Sequence, residues 1–88
     1  MVYIANIPLS LQNSIAVKLA DNERWSLLAI ECGIHPDIIK GKTVGRSDLA
    51  YSKKLIDSLY SKDVQFLIEK LSNIGGDDII QLITSNGY

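Results

Sequence analysis

Apolar residues recur at helical spacing almost from end to end of this 88-residue chain, and no stretch alternates with period two. That pattern constrains the fold more than any other feature. Leu11, Ile15 and Leu19 form a stripe at steps of four, after Pro8, a residue suited to a first helical turn. Trp25, Leu28, Ala29 and Cys32 follow at i, i+3, i+4 and i+7. Asp21 or Asn22 is expected to cap that second helix, and Gly33 to end it in a left-handed conformation. Leu27 and Ile30 lie off the stripe, so the helix is apolar around much of its circumference and is expected to be central. Trp25 is expected to be more than about 80 % buried, as befits the largest apolar side chain on such a stripe.

Punctuation then breaks the rest into short pieces. "HPDIIKGK" reads as a short helix beginning near Pro36 and stopped by Gly41. "TVGRSD" is a loop, with Ser47 capping a fourth helix whose face carries Leu49, Ile56, Leu59 and Tyr60. Asp63 caps a fifth helix with the stripe Val64, Leu67, Ile68, Leu71 and Ile74. Gly75 and Gly76 break it, Asp77 caps a last short helix through Ile79, Leu82 and Ile83, and "TSNGY" frays. The expected fold class is all-α, an antiparallel bundle of five or six short helices in a single domain spanning residues 1–88. A chain this short buries only roughly 60–65 % of its unfolded surface, so the core must be efficient. With 47 % hydrophobic residues, the material is there.

Several activities find no support in the residues. "GKT" at 41–43 lacks the earlier glycine of a phosphate-binding loop, because that position is Pro36. Cys32 and His35 have a metal-like spacing, but no further Cys or His completes a zinc site. His35 reads as a partly exposed loop residue. The one Cys reads as an inert thiol in a reducing compartment. No nucleophile elbow surrounds any serine. Asp77 and Asp78 diverge by about 100° on a helix, a poor acid–base pair and a better helix cap and dipole partner. These observations point away from an enzyme and imply no cofactor and no metal. No apolar run approaches the roughly 18 residues of a membrane span. The first twenty residues lack the basic flank of a signal peptide.

Net charge is −1, which argues against nonspecific nucleic-acid binding. Its distribution is uneven. Residues 37–54 carry Lys40, Lys42, Arg46, Lys53 and Lys54 against Asp37 and Asp48, a net of +3. Residues 55–88 carry Lys62 and Lys70 against Asp57, Asp63, Glu69, Asp77 and Asp78, a net of −3. Complementary patches of this kind steer protein association, and solvated charge with no such role is the competing reading.

"RWSLLAIECG" and "DVQFLIEKLSNIGGDDIIQLI" together resemble the death domain, a six-helix module of apoptotic and innate-immune signalling. Trp25, Leu28, Ala29 and Gly33 match the family's second-helix signature. Val64, Leu67, Leu71, Ile74, Gly75, Asp78 and Ile79 match its fifth and sixth helices. The resemblance covers about residues 7–84. Within the family, "IPLSLQNSIAVKLA" is most similar to the C-terminal death domains of netrin receptors of the uncoordinated class. "KKLIDSLY" and the helix 5–6 region are also similar to those of NF-kappaB precursors, and "GKTVGRSD" departs from both.

The resemblance implies a non-catalytic cytoplasmic module, in some members the intracellular tail of a receptor. Its partners would be other death domains, with homo-oligomers included and no nucleic acid or membrane insertion. A structural role, packed against neighbouring domains of a larger chain, is the alternative. Family assemblies pair helices 1 and 4 with helices 2 and 3, helix 4 and its following loop with the helix 5–6 corner, or helix 3 with loops. The candidate contacts are Lys40, Lys42, Arg46, Tyr51, Lys53, Lys54, Phe66, Asp77 and Asp78. Each has a second reading. Lys53 and Lys54 also fit the solvated side of helix 4, and Arg46 also fits a local pair with Asp48. Tyr51 and Phe66 lie off their stripes, and Phe66 either anchors an interface or packs under Tyr3 or Ile4.

Overall fold

The computed structural model describes residues 1–88 and is helical throughout, with no strand. Five α-helices have eight residues or more: α1 (Leu9–Ala20), α2 (Arg24–Glu31), α4 (Asp48–Ser58), α5 (Val64–Asn73) and α6 (Asp77–Ser85). A seven-residue helix, α3 (Pro36–Lys42), sits between α2 and α4. Helix α1 is the central element. It packs most extensively on α4 and also touches α2 and α6.

The α1 stripe is buried as its spacing predicts, with Leu11, Ile15 and Leu19 all in the core. Trp25, Leu28 and Ala29 are buried too, and Trp25 is 1 % exposed. Cys32 is half-buried at the edge of this cluster, where burial pushes its thiol pKa up and favours the protonated, unreactive form. Leu27 and Ile30 face solvent, so α2 is amphipathic rather than enclosed on all sides.

Both glycine stops act as expected. At Gly33 (φ +77°), Ile34 N–H donates to Ala29 O at 2.8 Å and Gly33 N–H to Ile30 O at 3.0 Å. At Gly75 (φ +71°), Gly76 N–H donates to Leu71 O and Gly75 N–H to Ser72 O in the same pattern. Gly41 does not stop α3, which runs on to Lys42 and ends where Thr43 turns extended. His35 is exposed, and its Nδ1 accepts from Asp37 N–H at the start of that helix.

The caps divide. Ser47 accepts from Ala50 N–H and Asp63 from Phe66 N–H, as expected. Asp21 and Asn22 do not cap α2. They fall in a 3-10 turn, Asp21–Glu23, in which Asn22 and Glu23 both take left-handed φ near 55°. That turn links α1 to α2 with no capping side chain. Asp77 is not a cap either; Gly76 holds that position, and Asp77 is the first helical residue.

Two faces differ from their expected composition. The buried side of α4 is Ser52, Leu55 and Ile56, continued by Leu59, while Leu49 lies at the exposed rim. Ser52 fits among apolar neighbours because its hydroxyl donates back to Asp48 O. The first seven residues also belong to the core. Ile4 and Ile7 are buried, and a 3-10 turn (Ile4–Asn6) follows an antiparallel bridge between Tyr3 and Asp63. At that bridge Ile4 N–H donates to Lys62 O, and Val64 N–H to Val2 O. At the other end the chain does not simply fray, since Tyr88 packs partly buried against the core.

Candidate interaction surface

The basic segment does not form one continuous patch. Lys40 and Arg46 line a shallow recess between α3 and α4, with Gly41, Thr43, Val44 and Tyr51. Lys53 lies in a different recess between α1 and α4, with Leu9, Asn13, Tyr60 and the exposed acid Asp57. The two recesses share no residue. None of Lys40, Lys42, Arg46, Lys53 and Lys54 forms an ion pair within the chain. Lys42 and Lys53 are exposed, and Lys54 is half-buried.

Two of the expected contact residues have structural roles. Tyr51 is half-buried, with its ring 5.1 Å from the Trp25 ring at an interplanar angle of 49°. The Lys40 ammonium lies 5.9 Å from the Trp25 ring centroid and 5.7 Å from that of Tyr51, a cation–π arrangement on both rings. Phe66 is half-buried against the core rather than a free anchor, and the Lys62 and Lys70 ammonium groups stand 5.3 and 5.4 Å from its ring.

Asp48 corrects a further expectation. Its carboxylate does not pair with Arg46. Oδ1 accepts a 3.0 Å hydrogen bond from the Trp25 indole N–H instead. A buried indole needs an acceptor, and the first turn of α4 supplies it.

At the acidic corner, Asp77 is exposed and unpaired, whereas Asp78 is engaged. Arg24 grips Asp78 through two hydrogen bonds, at 2.7 and 3.0 Å, and also donates to Lys18 O. Lys18 Nζ stands 3.9 Å from the same carboxylate. The Arg24 hydrogen bonds and charge, helped by Lys18, hold the Asp78 carboxyl at about 2, well below the usual carboxylate range. Asp78 therefore joins α6 to the α1–α2 corner and is not a free partner contact. Arg24 and Lys18 are the residues that sequence reasoning missed here, and no local pattern marks a pairing across 54 positions.

Exposed apolar side chains complete the surface. Leu9 and Val17 stand on the outer row of α1. Leu27 and Ile30 on α2 and Ile38 on α3 are exposed as well. No cluster of three or more His, Cys, Asp or Glu is placed to hold a metal ion, and no helix is long and apolar enough to cross a membrane. No protein-family model, curated protein or solved structure matches this chain.

Proposed function

We propose that this chain is a death-domain-type module that acts by binding other death domains, without catalysis. In this reading α3 counts as the third of six antiparallel helices. The order of the Trp25–Gly33 and Val64–Ile79 motifs supports it.

One observation carries the reading. Two parts of the surface carry exposed apolar side chains beside charges that the chain itself leaves unpaired. The α1–α4 face offers Leu9 beside Lys53 and Asp57. The α2–α3 side offers Leu27, Ile30 and Ile38 with the half-buried Glu31 and the exposed Lys40 and Lys42, none of them in an ion pair. An exposed apolar centre with charges of both signs around it is what two protein surfaces use to find and hold each other. A second copy or a related domain brings the matching face.

The test is size-exclusion chromatography and light scattering of the 88-residue chain, alone and with a panel of purified death domains. A salt-sensitive complex or self-association supports the reading. A domain that stays monomeric and binds no panel member contradicts it, and favours instead a module packed within a longer chain. The proposed setting is the cytoplasm.

A further inference from the structure

The geometry points to the α3–α4 recess as a binding site for a doubly charged oxyanion on a partner peptide, a phosphorylated serine or two adjacent carboxylates. The inference deepens the reading of the basic segment as a partner surface, but it uses a different part of that segment from Lys53.

The recess has a volume of about 440 Å³ and is open to solvent, roomy enough for a phosphate and the side chain that bears it. Two cations line it. Lys40 is not a free-swinging lysine, because its ammonium is stationed over the Trp25 and Tyr51 rings, and Trp25 is fixed in the core. A cation already held in position loses less entropy on binding than a mobile one. Arg46 lines the same recess from the loop side and has no internal carboxylate partner. Its planar guanidinium suits two oxygens of one phosphate or carboxylate. Lys42 adds a third unpaired cation close by in the chain.

Charge balance selects the ligand. Lys40 and Arg46 put two positive charges on the lining of the recess, and no acid lines it; the acids nearest in sequence, Asp37 and Asp48, lie outside the lining, and Asp48 Oδ1 is taken by the Trp25 indole. The local excess is two charges. One carboxylate leaves half of it unmet, whereas a phosphate near full ionisation or a pair of carboxylates meets it. Val44, fully exposed at the rim, gives an apolar shoulder for the residue beside the charged one.

Amide chemical shifts of the 88-residue chain, titrated with short alanine–glycine peptides, test this. One peptide carries a central phosphoserine, one a central pair of glutamates and one an unmodified serine. The phosphoserine or diglutamate peptide should shift amides between Lys40 and Tyr51, and the serine peptide should not. Which acidic peptide acts identifies the source of the charge. Arg46→Gln should weaken binding about tenfold, the loss of one charge-assisted bidentate contact. Asp48→Asn keeps an acceptor for the indole and should tighten it. Shifts that survive Arg46→Gln, shifts centred on Lys53, or no response to either acidic peptide would overturn the assignment. Loss of death-domain binding on changing Lys53, with peptide binding intact, would concern the earlier reading alone.

Discussion

The indole N–H of Trp25 donates a 3.0 Å hydrogen bond to Asp48, which joins the core of α2 to the first turn of α4. The residue that fills the centre of the bundle is thereby also tied to its rim. Asp48 sits at the N-terminal end of α4, where a negative charge is favoured, so one carboxylate serves both the helix and the indole. Trp25→Ala should cost about 3–5 kcal/mol, because it empties a buried site. Asp48→Ala should cost about 1–3 kcal/mol, because it leaves the indole donor without its acceptor. Asp48→Asn should recover most of that loss. Urea unfolding monitored by circular dichroism gives all three values, and an Asp48→Ala domain as stable as the wild type would show the bond contributes nothing.

Gln12 makes a second tie, between the N-terminal segment and the bundle. Its Nε2 donates to Ile7 O at 2.9 Å and Ile4 O at 3.3 Å, and its Oε1 accepts from the Tyr60 hydroxyl at 2.8 Å. A buried amide with every bond made fixes one arrangement, and removing it strands its partners. Gln12→Ala should cost about 1–3 kcal/mol and Tyr60→Phe only about 0.5–1.5 kcal/mol, since the second leaves both carbonyl contacts intact. Hydrogen exchange of the Ile4 amide, which donates to Lys62 O, should speed up in Gln12→Ala by more than global unfolding explains. Exchange unchanged at Ile4 would mean that the amide does not anchor the segment.

The apolar stripes on α1, α2 and α5, the glycine stops at Gly33 and Gly75 and the caps at Ser47 and Asp63 are all legible in the sequence, because each is a local rule with a local residue. The N-terminal anchor is not. Gln12 reads as a polar interruption until Ile4, Ile7 and Tyr60 are known to meet around it. The Asn22–Glu23 turn is hidden as well: Asp21 and Asn22 have the composition of a cap, but the chain turns through two left-handed residues instead. Of the candidate contacts, Tyr51, Phe66 and Asp78 are drawn into intramolecular roles. Lys40 stands over two aromatic rings and Lys54 is half-buried, while Lys42, Arg46, Lys53 and Asp77 remain exposed and unpaired. Charge counting located the basic segment but not its division into two recesses, which arises because α4 packs on α1 with one side and on α3 with another.

The Arg24–Asp78 pair sets an acid limit. Asp78 has its pKa lowered in the folded state to about 2, so its stabilisation is fully present above the ordinary carboxylate value near 4 and is lost as pH falls toward 2. The carboxylate is about half exposed, at 48 %, and solvent screening holds the contribution to about 1 kcal/mol. Asp78→Asn should be less stable than wild type at pH 6 and should converge with it near pH 2. Thermal melts across that range check the sign. Parallel curves at every pH would show that the pair does not couple to folding.

The central proposal is that the α1–α4 face around Lys53 captures a partner death domain. The direct measurement is the affinity of the wild-type chain and the Lys53→Glu, Lys54→Glu double variant for each death domain of a purified panel, including this chain itself, with circular dichroism as the control for folding. The claim predicts at least one partner bound by wild type and lost by the double variant, with the helical spectrum unchanged, because rim charges reversed against an acidic face turn attraction into repulsion. Equal binding by both proteins, or no binding by the wild type to any member of the panel, would contradict it.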